Sequence, residues 1–441
     1  MKILEGFEAA RTALSRGIPS ESYAVSPALR QALKKLFGTE DPEEAVRQIV
    51  GEVKKGGDKA LLELTLKIDG MKLGSLEVAR GEIAGACDKV DKELVSALKL
   101  ASERIHAFHK AQKDSIWHEV SEAGLGQLIR PLQRVGVYVP GGTATYPSTV
   151  LMTAIPAKVA GVNEVVMVTP PQKNGGISPA VLVAADIAGV DRIFSVGGAQ
   201  AVAALAYGTE SIPAVDKICG PGNIFVMLAK KIVYGVVDID GLQGPSEVLI
   251  IADEGANPDY CATDLLAQAE HDPLASAILV TTSRQLADEI NRQVEQQLKG
   301  LSRQATARES LDRRSLIAVV ANLDEALELS NLYAPEHLCL MIEDADNYVD
   351  RVTSTGCIVT GREATVVLGD YVAGPSHALP TEGTARFSSP LNVSDFIKFM
   401  SVIKMEEIDI KKLGRAASVI ARAEGLDAHA RAVEKRLKDS G

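Results

Sequence analysis

Two polar residues near the middle of this sequence have types and a spacing that suit metal binding. Gln268 and His271 stand three residues apart in Gln-Ala-Glu-His, near the end of a predicted helix. Their side chains therefore share one helix face. An amide oxygen and an imidazole on one face could hold a metal ion, although a capped helix end is the alternative. The His-Glu-x-x-His spacing of metalloproteases is absent.

A carboxylate and an imidazole stand side by side further along the chain, as Glu336 and His337. Imidazole titrates near neutrality and a carboxylate can activate water, so the pair suits general-base chemistry. A chance pair on the protein surface is the alternative.

More carboxylates and histidines follow towards the end of the sequence. Asp370 and His377 flank a glycine-bearing segment, and Glu424 and His429 stand five residues apart. Imidazole, carboxylate and amide oxygen together suit Zn²⁺ or another borderline divalent ion better than Ca²⁺. Their spacing leaves open whether these side chains converge on one site.

Three glycine-rich turns occur where predicted strands pass into helices, at 140–142, 196–200 and 219–223. Glycines at the carboxyl ends of parallel strands let a phosphate approach backbone N–H groups. None of the turns has the Gly-x-Gly-x-x-Gly or the P-loop pattern. A nucleotide site and ordinary tight turns therefore both stay open.

The elements that must position these residues are predicted from hydrophobic periodicity. A first series has strands and helices in alternation at 135–139, 148–160, 164–168, 178–188, 192–196 and from 199. A second series follows at 247–252, 257–271, 277–281 and 284–298. Such alternation predicts two parallel-sheet α/β modules. Further helices are predicted at 41–53, 91–113 and 413–438.

The composition agrees with a multidomain α/β protein. A length of 441 residues exceeds one ordinary core, and 46% hydrophobic with only 4% aromatic residues favours helices packed on parallel strands. The formal charge of 47 − 58 = −11 argues against nucleic-acid or membrane partners. Five scattered cysteines, no signal-peptide pattern and no membrane-spanning run predict a reduced, cytoplasmic protein without a disulfide framework.

Taken together, the motifs of this sequence resemble the histidinol dehydrogenase family. The resemblance runs in order along nearly the whole chain, and its ordered series is more specific than any single motif. The matching stretches are 134–142 (RVGVYVPGG), 148–156 (STVLMTAIP), 196–200 (VGGAQ), 220–223 (GPGN), 244–248 (GPSEV), 268–271 (QAEH), 334–338 (APEHL), 369–371 (GDY), 377–381 (HALPT), 384–389 (TARFSS) and His429.

The resemblance implies roles for individual residues. One zinc ion per subunit would be held by Gln268, His271, Asp370 and His429, the last from the partner subunit of a homodimer. NAD contacts map onto Tyr138, Gln200 and Asn223. L-Histidinol contacts map onto Ser246, His337, His377 and Glu424, together with the four metal ligands. Glu336 and His337 would be the acid–base pair of a four-electron oxidation through L-histidinaldehyde to L-histidine.

The resemblance also implies a division into domains. It comprises an N-terminal helical segment at 1–29, a larger α/β domain at 30–136 and 245–386, an inserted Rossmann-like NAD-binding domain at 137–244, and a helical dimerisation arm at 387–441.

Two departures from the family pattern lie beside the implied substrate site. Ser376 stands where many relatives have Asn, and residues 361–365 differ from the Ser-Pro-Glu sequence that is usual in this loop of the family. The nearest alternative is a related dehydrogenase for another polar alcohol, such as dihydroxypropanesulfonate, although Glu424 suits a cationic group better than a sulfonate. A non-enzymatic regulator predicts missing site residues, and a zinc hydrolase predicts a metallohydrolase motif; the sequence shows neither.

Overall fold

The protein folds as two compact units. The structure, a computed structural model, describes residues 1–16, 26–116, 120–122, 125–141, 145–172 and 175–439. The larger unit contains residues 1–114 and 132–396, and the smaller contains 115–131 and 397–441. No helix in these described ranges is both long and apolar enough to cross a membrane.

The described residues form short strands separated by helices. The strands are β1 (Lys2–Glu5), β2 (Val120–Glu122), β3 (Leu125–Pro131), β4 (Arg134–Tyr138), β5 (Glu164–Thr169), β6 (Arg192–Ser195), β7 (Lys217–Cys219), β8 (Asp238–Ile239), β9 (Glu247–Ala252), β10 (Ser276–Thr281), β11 (Leu316–Val319), β12 (His337–Met341), β13 (Cys357–Thr360) and β14 (Ile397–Ile403). The α-helices are α1 (Phe7–Leu14), α2 (Pro27–Phe37), α3 (Pro42–Asp69), α4 (Arg80–Ala84), α5 (Lys92–Ile116), α6 (Pro147–Ala160), α7 (Pro179–Ala188), α8 (Gly198–Tyr207), α9 (Ile224–Val233), α10 (Pro258–Ala269), α11 (Arg284–Gln297), α12 (Gln304–Arg313), α13 (Leu323–Tyr333), α14 (Asp346–Val349), α15 (Val366–Tyr371), α16 (Glu407–Ala423) and α17 (Asp427–Asp439).

A five-stranded parallel sheet lies in the larger unit, with strand order β6-β5-β4-β7-β8. Helices α3, α8 and α9 share its hydrophobic core. Helix α3 begins as the sequence predicts, because Asp41 Oδ1 accepts the Glu43 N–H at 2.9 Å. It then runs on to Asp69 through a kink at Gly57, where φ is +53°.

A six-stranded parallel sheet completes the larger unit, with order β1-β11-β10-β9-β12-β13. The central strand β9 is buried along its whole length. Val248 and Ile250 pack into one hydrophobic cluster, and Leu249 and Ile251 pack into another. Both faces of the sheet are therefore covered, as a continuous apolar strand predicts.

The smaller unit combines an antiparallel sheet, β14-β3-β2, with a hairpin of helices α16 and α17. The two helices approach closely at Gly414, where an added Cβ would lie 2.9 Å from Val433 Cγ1. Gly425 lies between them with φ at +77°.

Most of the predicted βα alternation is confirmed, and the parallel α/β fold class with it. One prediction was wrong: the single helix at 413–438 is two helices, because the chain turns at Gly425. The stretch 1–29, for which only helix is predicted, also contributes strand β1, and 387–441 also contributes β14. The domain boundaries stay a prediction; helix α3, predicted in the larger domain, shares the core of the five-stranded sheet.

Candidate active site

A cleft of about 1360 Å³ in the larger unit collects most of the predicted site residues. Its lining includes Tyr138, Asn223, Ser246, Gln268, His271, Glu336, His337, Asp370 and His377. One wall comes from the carboxyl ends of β4 and β7, and the facing wall from the amino ends of β9 and β12. Across the cleft, the carboxyl ends of the strands in one parallel sheet therefore face the amino ends of the strands in the other.

The amino ends of adjacent parallel strands bring three of the predicted site residues together. Ser246 directly precedes β9, Glu336 directly precedes β12, and His337 is the first residue of β12 and pairs with Val248. Ligands of open parallel sheets usually bind at the carboxyl ends. Here the five-stranded sheet lines the cleft with the carboxyl ends of its strands, and the six-stranded sheet lines it with their amino ends.

The Glu336 carboxyl is buried and held by one backbone group. Its Oε2 accepts the N–H of Glu247 at 2.7 Å, and the side chain is only 6% exposed. Burial, together with the nearby carboxylates of Glu247 and Asp370, raises the pKa of Glu336 well above its ordinary value. A carboxylate with a raised pKa is a stronger proton acceptor once ionised.

The His337 imidazole is buried beside two other histidines. Burial lowers its pKa to about 3, and the neighbouring charges of His377 and His271 act in the same direction. Its Nε2 lies 3.5 Å from Asp370 Oδ1, and its Nδ1 is buried without a hydrogen-bond partner. The ring is therefore neutral near pH 7 and can accept a proton.

His377 is oriented by the main chain. Its Nδ1 donates to the Asp370 carbonyl oxygen at 2.7 Å, which leaves Nε2 to the Thr149 hydroxyl at 3.4 Å. Burial lowers the pKa of His377 to about 4. Burial also raises the pKa of the neighbouring Asp370 carboxyl, to about 7.

Gln268, His271 and Asp370 offer the chemistry of a metal site. Gln268 lies on α10 and His271 just beyond it, so the predicted shared face exists. Gln268 Nε2 is buried without a hydrogen-bond partner, and burial lowers the pKa of His271. Within the described ranges no three His, Cys, Asp or Glu side chains cluster tightly enough for a metal ion. The three donors still fit a cation, because a neutral imidazole, a carboxylate oxygen and an amide oxygen are all ordinary metal ligands.

The opposite wall of the cleft includes Gly141 and Gly222, from two of the three glycine-rich turns. The Tyr138 hydroxyl accepts the Gly198 N–H at 3.0 Å, and burial raises its pKa to about 12. Asn223 caps α9, with its Oδ1 accepting the N–H groups of Phe225 and Val226. Gly142, in the first turn, lies outside the described residues.

Gln200 does not line the cleft. Its side chain is only 1% exposed, and its Nε2 donates to Asp69 Oδ2 at 3.5 Å. It therefore lies behind the turn that bears Gly198.

Glu424 and His429 belong to the smaller unit. Both line a depression of about 690 Å³ on the α16–α17 hairpin, among apolar side chains such as Ile420, Leu426 and Val433. The structure thus brings these two predicted residues together with each other.

Sequence reasoning missed two residues of the cleft, Arg16 and Glu247, which form a close ion pair. Glu247 lies within the Gly-Pro-Ser-Glu-Val motif, directly after the predicted Ser246, which was the available signal. Arg16 stands in no motif, and its partner is 231 residues away.

Comparison with known proteins identifies the family. The model of the family described as histidinol dehydrogenase matches residues 34–437. The chain belongs to the histidinol dehydrogenase family. It is 57% identical over 438 residues to the histidinol dehydrogenase of Dehalococcoides mccartyi strain CBDB1, covering 99% of this chain and 100% of that one. It is 53% identical to the enzyme of Syntrophotalea carbinolica, covering 91% of this chain and 94% of that one.

A solved member of the histidinol dehydrogenase family has the same fold. The crystal structure of the enzyme from Elizabethkingia anophelis superposes with a TM-score of 0.90 at 36% identity, covering 100% of this chain and 98% of that one. Membership confirms the α/β fold class and the prediction of an oxidoreductase of histidine biosynthesis. It does not favour the dehydrogenase of another polar alcohol, the regulator or the hydrolase.

Proposed function

We propose that the chain oxidises L-histidinol through L-histidinaldehyde to L-histidine, with two hydride transfers to NAD and one zinc ion per subunit. The observation that carries this proposal is one cleft that holds the Glu336–His337 pair beside Gln268, His271 and Asp370. Relatives more than 50% identical bear the name of this activity.

Zinc would be held by Gln268, His271 and Asp370, with His429 supplied by a second subunit. Support comes from the largely buried Asp370 carboxylate, 19% exposed, whose negative charge a bound cation would stabilise. When bound, zinc would supply a fixed positive charge that attracts the amino and imidazole nitrogens of the substrate.

His337 serves as the base for the alcohol step. Its neutral ring accepts the hydroxyl proton of histidinol. The carbon that bears this hydroxyl group loses a hydride to NAD at the same time, and an aldehyde results. Ser246 and His377 line the same cleft and would contact the substrate.

Glu336 serves in the aldehyde step. Its carboxylate takes a proton from a water molecule, whose oxygen adds to the aldehyde carbon and gives a hydrated aldehyde. His337 then accepts a hydroxyl proton again while the second hydride leaves, and the carboxylic acid of histidine results.

This route needs no cysteine. The five thiols are free, and none lines the described part of the cleft. Burial raises the pKa of Cys357 to about 11 and of Cys261 to about 12, so neither is a ready nucleophile.

Tyr138 and Asn223 would contact NAD from the glycine-turn wall, with Gln200 behind them. This assignment is supported by the position of the first two residues in the cleft. Gln200 would support the turn through its neighbour Gly198, where an added Cβ would lie 2.6 Å from Gln200 Oε1.

We also propose a homodimer in which residues 387–441 form the arm that carries Glu424 and His429 to the partner's cleft. The hairpin supports this role because it exposes large apolar side chains, including Ile408 at 70% and Val419 at 62%.

The function is tested by NADH formation from L-histidinol, before and after treatment with a chelator and after zinc is restored. We expect activity, its loss and its recovery, with histidine as the end product. Turnover of another polar alcohol in place of histidinol would refute the proposal.

Glu336→Gln tests the division of labour within the active site. Because Gln cannot take a proton from water, we expect oxidation of histidinaldehyde to fall by about 10²–10⁴-fold, with a much smaller loss for histidinol to histidinaldehyde. The two steps are measured separately, with each compound as the starting substrate. Equal losses in both steps would contradict the assignment.

A further inference from the structure

Arg16 makes a two-pronged ion pair in the wall of the cleft. Its Nη1 and Nη2 donate to Glu247 Oε1 and Oε2 at 2.7 and 2.6 Å. The Glu247 side chain is 5% exposed and that of Arg16 is 23% exposed. Such a bidentate pair fixes both the distance and the plane of the two groups.

The same guanidinium also holds a second chain segment. Arg16 Nε donates to the Tyr333 carbonyl oxygen at 2.7 Å, and the guanidinium stacks 3.8 Å above the Tyr333 ring. Tyr333 ends α13, and the next residue, Ala334, has a φ of +51°. Arg16 therefore fastens the turn by which the chain reaches Glu336.

Both segments that Arg16 joins control the Glu336 carboxyl. One supplies the Glu247 N–H that binds Glu336 Oε2 at 2.7 Å. The other sets the backbone position of Glu336, three residues after Tyr333. Three nitrogens of one planar group are engaged at once, which a lysine cannot reproduce.

We infer that Arg16 is a positioning residue for Glu336: by joining Glu247 to the Tyr333 turn, it holds the Glu336 carboxyl where it can take a proton from water. This inference rests on the proposed role of Glu336 in the aldehyde step. In this role Arg16 acts through Glu336, so its loss affects the step that uses Glu336.

The test compares Arg16→Lys and Arg16→Met with Arg11→Met. Arg11 lies nearby on α1, its side chain is 53% exposed, and it pairs with Glu8 on the surface at 3.5 Å. For both Arg16 variants we expect histidinaldehyde oxidation to fall on the order of 10-fold more than histidinol oxidation to the aldehyde. Arg11→Met leaves both rates unchanged. The lysine variant keeps the positive charge, so it remains informative if the methionine variant fails to fold.

A purely structural role would lower both steps in proportion, together with the melting temperature, and that result would overturn the inference. Glu336→Gln and the double variant Arg16→Lys/Glu336→Gln are measured in parallel. If Arg16 acts through Glu336, the double variant oxidises the aldehyde no more slowly than Glu336→Gln alone. Additive losses would overturn the inference while leaving the proposed function intact. If Glu336→Gln instead lowers histidinol oxidation and histidinaldehyde oxidation equally, the role of Glu336 itself is refuted.

Discussion

Gly220 allows the carboxyl ends of β4 and β7 to meet at the wall of the cleft. Its φ is +114°, and a Cβ at this position would overlap the carbonyl oxygen of Tyr138. Glycine is therefore required here for two separate reasons, backbone conformation and close approach.

Gly220→Ala should raise the KM for NAD and lower the melting temperature. An alanine with this φ has a backbone strained by about 1–3 kcal/mol. Its Cβ would also displace the backbone carbonyl of Tyr138. Gly235→Ala is the matched control, because Gly235 has a φ of +97° but nothing within 4 Å of the added Cβ. An equal effect of both variants on the KM would show that the contact with Tyr138 has no role.

His109 makes the fold sensitive to acid. The side chain is fully buried on α5, and burial lowers its pKa, although a hydrogen bond with Gln112 acts in the opposite direction. The unfolded chain has the ordinary pKa of about 6.5 and so binds the proton first as the pH falls. The neutral His109 therefore does not reduce the free energy of unfolding above about pH 6.5, but this free energy declines as the pH falls below that value.

His109→Asn should reduce the loss of melting temperature between pH 7.5 and pH 5.5, since the titrating group is removed. The measurement is thermal unfolding at both pH values. His106→Asn serves as the control, because His106 is exposed on the same helix. A loss on acidification as large in His109→Asn as in the natural chain would contradict the prediction.

At the residue scale, the sequence predicted groups that are recognisable by type and spacing. Glu336, His337, Gln268 and His271 belong to this class, and all four line the cleft. Arg16 was missed because its role depends on a partner that only the folded chain brings near.

Among the elements, α9 is tied to the glycine turn by a buried ion pair. Lys230 and Asp240 are each 1% exposed and in direct contact. Lys230 Nζ also donates to the Gly220 carbonyl oxygen at 3.1 Å, and Asp240 Oδ2 accepts the Gly220 N–H at 2.7 Å. Both backbone groups of Gly220 are thus held by one pair of charges.

Lys230→Met should destabilise the fold by about 3–5 kcal/mol, because it leaves the Asp240 carboxylate buried without a counter-charge. Urea unfolding measures the loss. Lys231→Met is the control, since Lys231 is 47% exposed and pairs with Glu43 at 3.1 Å on the surface. Losses of similar size in the two variants would contradict a special role for the buried pair.

The sequence predicted elements best where both sheet faces are covered. Strand β9 reads as an uninterrupted apolar run, and its bounds were predicted correctly. The break between α16 and α17 was missed because both helices are amphipathic and only three residues, including Gly425, separate them. The helix predicted at 41–53 continues to Asp69 as α3. Its second half was missed because Gly57, where the helix kinks, resembles a glycine that ends a helix.

For the whole molecule, the proposed shared site leads to a mixing experiment. Glu336→Gln and His429→Ala are each expected to be inactive with histidinaldehyde. In a mixed dimer, one cleft keeps Glu336 and receives the natural His429 from the other subunit. Random exchange of subunits should therefore restore roughly a quarter of the natural activity.

The control for the mixing experiment is Glu336→Gln mixed with Gln268→Ala, because both residues lie in the same subunit's cleft. That mixture should stay inactive. Failure of the first mixture to recover, although exchange of subunits is demonstrated, would show that His429 does not act across the dimer.

The position of the reactive residues at the amino ends of the six-stranded sheet has a practical consequence for immobilising the enzyme. Strand β9 has six residues and begins beside Ser246, so its other end lies roughly 20 Å away. The exposed turn at Glu254 and Gly255 follows that end. A linker inserted in this turn would tether the enzyme to a support or an electrode while its cleft stays open to substrate.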